Sequence, residues 1–233
     1  GNDVAATFGT SSSNINYLIP GNTTRIWSLK TDVISTATGT ITASLIAGTS
    51  NYQGQVSLST GSSTAVSGNA LTVQSNPFQA RLNSALGTGN LVKGQGTARI
   101  ASFVLSASSA EGIRISTLTF TSSTTFPFAN LFAKVDGVQF GTVTGSVTTE
   151  TDYTFAGSSP AQIVAGGNIT IDVYADVLST ATNLGSSYYV KLKDASAVGA
   201  TTATTQTLKD TAASTVSTAA NNIKSQSFTI NVA

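Results

Sequence analysis

The sequence predicts an all-β protein built from antiparallel β-sandwiches, and three observations predict it. Ser and Thr together make up about 30% of the 233 residues, well above ordinary usage, whereas the helix builders Lys and Glu are scarce. Short runs with a period of two recur, with turn signals about every 8–12 residues between them. Finally, "DVISTAT" at Asp32–Thr38 returns as "DVLSTAT" at Asp176–Thr182, 144 positions later, with one Ile/Leu exchange. A repeat of this kind implies two related units.

The neighbourhoods of the heptad extend the repeat. "VAATFGTSSSNINYLIPGNTTRIWSLKTDV" and "DYTFAGSSPAQIVAGGNITIDVYADV" each run Thr-Phe, Ser-rich turn, apolar pair, Gly-Asn turn and alternating strand, then Asp-Val. Phe8 is thus matched with Phe155, Gly21-Asn22 with Gly167-Asn168, and Asp32 with Asp176. Residues 1–75 match only the second half of the unit that residues 76–233 complete. The expected organisation is a partial sandwich over 1–75 and a whole one over 76–233. The break is placed at "VQSNPFQ", where Asn76-Pro77 interrupts a ladder.

Within 76–233 the strands follow in order. "RIASFVLSASS" puts Ala101, Phe103, Leu105 and Ala107 on one face. "GIRISTLTF" has Ile113 and Ile115 out of phase with Leu118 and Phe120, so a β-bulge is expected at Ser116–Thr117. "LFAKVDGVQFG" is a hairpin with Asp136-Gly137 as a type I′ turn. "DYTF", "NITIDVYADV" and "SSYYVKLKD" are further strands. The low-complexity stretch "AVGATTATTQTLKDTAASTVSTAANN" reads as loose strands with room for one helical turn.

Composition narrows the function classes. Eleven basic and ten acidic residues leave a net charge of +1, and the bases are scattered, so no nucleic-acid partner is expected. His and Cys are both absent, which removes Ser–His–Asp and Cys–His nucleophilic systems and ordinary zinc sites. No apolar run reaches the roughly 20 residues that cross a bilayer, so no membrane insertion is expected. The chain opens "GNDVAATFG" without Met or a signal peptide, as a processed product or an excerpt would. Few charges, no Met and much Ser/Thr suit an extracellular or cell-surface setting where oxidisable side chains are liabilities.

The succession "GNLVKGQGTARIASFVLSASSAEGIRISTLTF", "FAKVDGVQFG" and "ITIDVYADVLSTAT" resembles tandem Ig-like β-sandwich repeats of long bacterial cell-surface proteins of the surface-layer, adhesin or filament type. The likeness covers residues 90–180 well, 1–40 in part and the Thr-rich tail poorly. It implies Ig-like antiparallel sandwiches in tandem and an extracellular structural or adhesive role, and it brings no active site. The chain is therefore expected not to be an enzyme and to carry no cofactor.

Candidate sites are few. Asp172 and Asp176 lie about 13 Å apart along one strand face, too far for a glycosidase pair at about 5–9.5 Å. Glu150 and Asp152, about 7 Å apart, read as a charged strand start that resists edge pairing. Asp32 and Asp176 are the calcium candidates because they recur in the repeat; hydrogen bonding to the following "STAT" turn is the favoured alternative. Asn22-Thr23-Thr24 and Asn168-Ile169-Thr170 fit the N-glycosylation pattern, and a tight Gly-Asn turn also explains them. Trp27 alternates with Leu29 and is expected to point inward, while Tyr188-Tyr189 puts one ring on each face; core packing is the expectation for all three.

Half a sandwich exposes an apolar face and open ladder edges. Strand sharing between head-to-tail copies or adjacent repeats would seal it. The assembly-strand candidates are Phe228, Ile230 and Val232 in "SQSFTINVA", and Val4 and Phe8 in "DVAATF". Residues 1–110 carry two acids and five bases, residues 111–233 eight acids and six bases, an asymmetry compatible with head-to-tail stacking. The expected role is a structural subunit or repeat segment of an extracellular filament or surface layer. An adhesin or glycan-binding module, with surface glycans as partners, is the alternative.

Overall fold

A computed structural model describes residues 17–32, 39–73, 78–123, 126–182 and 184–232. The chain divides into two units, Gly1–Val73 and Gln74–Ala233. Both are all-β; among the described residues the only helical element is a single 3₁₀ turn, Ala219–Asn221.

In the first unit, β1 (Gly39–Leu45) pairs antiparallel with β4 (Val66–Val73), and β2 (Gly48–Gln53) pairs with β3 (Thr60–Ser63). Residues 17–32 contain a turn, closed by the Thr23 N–H and hydroxyl donating to Pro20 O at 3.2 and 2.7 Å, and no assigned strand. Asn22 takes the third position of that turn at φ 59°, in the left-handed region that Asn tolerates better than most residues. None of the described residues of this unit is buried.

The second unit has two main sheets. One runs β10 (Val138–Ser146), β9 (Phe128–Val135), β12 (Asn168–Val177), β7 (Ala98–Ser106), β5 (Phe78–Leu82), β15 (Leu208–Lys209). The other runs β11 (Asp152–Ile163), β8 (Ile113–Ser122), β13 (Val190–Gly199), β14 (Thr205–Gln206), with β16 (Ile223–Lys224) beside β13. A parallel pair, β6 (Gly89–Val92) with β17 (Phe228–Asn231), completes it. The inner faces share one core, bridged where Phe103 of β7 stacks on Phe120 of β8 at 6.0 Å between ring centroids. Two sheets closed over a common apolar layer form a sandwich.

Local chemistry explains these elements. Ala101, Phe103, Leu105 and Ala107 all enter the core. In β8 the register against β13 skips Ser116, passing from Ser196↔Thr117 to Ala197↔Ile115. The extra residue brings Ile113, Ile115, Leu118 and Phe120 into the core together. Asp136 and Gly137 both have positive φ, 46° and 84°, as a type I′ turn requires, and Val135 faces Val138 across it. The Thr-rich tail is tied down by Leu208 and Val216, both fully buried.

The terminal strand is not free, contrary to its reading as a donor. β17 lies parallel to β6, and Phe228 exchanges backbone hydrogen bonds with Tyr188 at 2.8 and 2.9 Å. Phe228 and Ile230 are buried in their own unit, and only Val232 is exposed. A strand whose alternating side chains already have a core beneath them is part of that core. Val4 and Phe8 lie outside the described residues.

Candidate functional site

The recurring Asp-Val strand is where the two units can be compared most closely. In the second unit it is the inner strand β12, and both its neighbours come from earlier in the chain: β7 on one side, β9 on the other. Period-two alternation sends Ile169, Ile171, Val173, Ala175 and Val177 into the core and leaves Asp172, Tyr174 and Asp176 on the outer face.

Asp176 accepts two hydrogen bonds at the end of this strand. The Thr97 N–H donates to Oδ1 and the Asn130 amide to Oδ2, each at 2.6 Å. The Asn130 bond, and after it the Thr97 bond, hold the carboxyl below its ordinary 3.8 against a small opposing effect of burial. Both donors have positive φ, Thr97 50° and Asn130 51°, an uncommon conformation for residues other than glycine. Backbone bonds continue the clamp: Val177 N to Gln95 O at 2.8 Å and Leu178 N to Pro127 O at 2.9 Å. Asp176 thus fastens β12 to the loop before β7 and to β9. Its partners are these distant segments rather than the following "STAT" turn.

Two further acids also fasten backbone, and two pair with cationic side chains. Asp136 accepts from Thr170 N at 2.7 Å. Glu111 accepts from the Thr201 and Thr202 N–H groups at 2.7 and 2.6 Å, and these bonds, the Thr202 N–H foremost, lower its carboxyl from the ordinary value. Asp152 pairs with Lys193, and Asp172 lies 3.7 Å from Arg99. No group of three or more metal-ligating side chains occurs among the described residues.

In the first unit the matching segment, which is not an assigned strand, sits in different surroundings. Turn geometry sets the match. The Pro20–Thr23 turn with Asn22 at its third position corresponds to the turn in which Gly167 N donates to Val164 O at 2.9 Å, with Gly166 there at φ 71°. Asn22 therefore matches Gly166, not Asn168, and the offset of 144 holds without a gap from residue 20 to 38. The two glycosylation triplets, at the exposed Asn22 and Asn168, are not equivalent positions. In this register Ile19 matches Ile163, Trp27 matches Ile171 and Leu29 matches Val173. The later residues are at most 2% exposed, whereas Ile19, Trp27 and Leu29 are 52%, 64% and 66% exposed. Trp27, 64% exposed, thus does not point into a core; its ring makes a T-shaped contact with Tyr17, 5.3 Å between centroids. Asp32 is also exposed.

No protein-family model, curated protein or solved structure matches this chain. The reading of its sites therefore rests on its own two units.

The remaining aromatic features divide between core and surface. Tyr188 is buried against Phe128, 5.8 Å away, while Tyr189 on the opposite face carries Lys224 4.0 Å from its ring centroid. Phe132 and Tyr174 stack on one another at 5.3 Å on the outer face, with Lys134 over both. No described helix is long and apolar enough to cross a membrane.

Nothing local to the heptad announced the clamp. Thr97 lies 79 residues before Asp176 and Asn130 lies 46 before it. The one sequence signal was recurrence of the aspartate itself.

Proposed function

We propose that this chain is a structural segment of an extracellular filament or surface layer, built of Ig-like sandwiches in tandem and joined to copies of itself or to adjacent repeats through β-strand packing. One contrast carries the reading: residues of the first unit with the pattern of a core strand stand open, while their counterparts at the same register are sealed. Uncovered apolar surface on that scale is a contact surface. The inventory of acids supports a mechanical role, since Asp136, Asp176 and Glu111 are each spent on holding backbone in place. A Ser/Thr-rich exterior with few charges suits an exposed, inert shell. Negative-stain microscopy of the purified chain across a concentration series tests this, with filaments or sheets expected. Particles that stay monomeric at every concentration contradict it.

The alternative, a glycan-binding module, has one observation in its favour, the outward Phe132–Tyr174 pair. Each ring turns one face to the other, and Lys134 lies over both, 5.9 and 5.0 Å from their centroids. Loss of glycan retention on Tyr174→Ala would revive it.

A further inference from the structure

We infer that residues 24–32 form the inner strand of a second sandwich, and that its missing neighbours are a repeat front half of the kind seen in residues 78–150. This deepens the structural reading above by naming the partner. The second unit is the template. There β12 is flanked on both sides by strands of the front half, and its inward residues Ile171 and Val173 belong to one core cluster with buried residues of β7 and β8. Trp27 and Leu29 stand at those two positions, and Ile19 at that of Ile163 in β11, which pairs with β8 of the same front half. Both strands that pair with the later strand, β7 and β9, belong to a part of the repeat for which residues 1–75 carry no counterpart.

Asp32 specifies the partner further. Its twin takes one N–H from the loop before β7 and one amide from a side chain of β9. The occupant therefore presents two strands about 10 Å apart, one on each side of residues 25–32. The loop entering one strand offers a backbone N–H and the other an Asn amide, both meeting Asp32. A second copy in its folded form has no such slot open, because its β7 and β9 already hold its own β12. The partner is a front half additional to that one.

Trp27 is the single tryptophan of the chain, so its fluorescence reports this contact alone. An extended protein carrying a second copy of residues 78–150, joined by a flexible linker ahead of Gly1, supplies the partner. The tryptophan of the full-length parent should emit as a solvated ring and be quenched readily by acrylamide. In the extended protein the emission should shift to the blue and the quenching constant should fall several-fold. Asp32→Ala in the extended protein should return part of that quenching; in the parent the same change should leave Trp27 unaffected. Quenching equal to the parent's overturns the inference, whether the added half docks elsewhere or stays unordered. Burial of Trp27 in the unaltered chain as it dimerises also overturns it, by assigning the slot to a second copy. Microscopy separates the two readings: a monomeric extended protein with a buried Trp27 ends the assembly proposal and keeps this one, while filaments with an open Trp27 do the reverse.

Discussion

Replacing Asp176 by Ala removes the acceptor for two hydrogen bonds at once, Thr97 N–H and Asn130 Nδ2, each at 2.6 Å. A bond to an ionised acceptor contributes about 1.5–3 kcal/mol when shielded from water. Asp176 is only half-buried and both donors are exposed, so water replaces much of what is lost. We therefore expect about 2 kcal/mol for the pair, at the low end of that range. For a domain the size of the second unit, a midpoint shift of about 2–4 °C per kcal/mol gives a fall of about 4–8 °C. Scanning calorimetry of both proteins at neutral pH reads this directly. The pH dependence has a defined sign. A carboxyl held below its ordinary value stabilises the fold above about pH 4, and that contribution disappears as pH falls through the folded value. The gap between parent and variant should therefore close on acidification. Asp32→Ala in the parent chain is the matched control: the same heptad, without the clamp, should shift nothing by more than about 0.5 kcal/mol. An Asp176→Ala midpoint within 1 °C of the parent, or an equal effect at Asp32, refutes the clamp as the reason the aspartate recurs.

Further outcomes follow from the packing. Ile230→Ala, in the terminal strand, should cost about 2–5 kcal/mol in urea unfolding, because Ile230 is fully buried; a neutral result would mean the strand is free after all. Gly112→Ala sets a methyl group 2.6 Å from the Ile163 carbonyl oxygen, and a loss of about 1–3 kcal/mol is expected from such overpacking. Glu111→Ala should cost about 1 kcal/mol at neutral pH, given an exposed pair of N–H donors. That cost should shrink in acid, as at Asp176, and a pH-independent difference would argue against the carboxylate as its source.

The parts of the fold that were legible in the sequence are those encoded by neighbours in the chain. Alternation in "RIASFVLSA" marks the inward face of β7, and a phase break of one residue in "GIRISTLTF" marks the bulge at Ser116. Asp-Gly marks a type I′ turn because few other pairs sit comfortably at two positive φ values. What lies across the sheet was not legible. The alternation that puts Trp27 with Leu29 says that they share a face and nothing about what meets it. β17 alternates like any edge strand, yet its place beside β6 depends on residues about 140 positions earlier. The equivalence of Asn22 with Gly166 shows only in the turn hydrogen bonds, since glycine and asparagine serve the same conformation. Likewise the turn after Asp176 marks it as a hydrogen-bond acceptor, but its partners, Thr97 and Asn130, belong to distant segments.

The central claim is that the strand-like segment of the first unit stands uncovered while its counterpart is sealed. Amide hydrogen exchange on the dilute monomeric chain, read peptide by peptide, tests it most directly. Peptides from β7, β8 and β12 should be strongly protected, and those spanning residues 17–32 should exchange early. Protection over 17–32 equal to that over 163–176 would contradict the account.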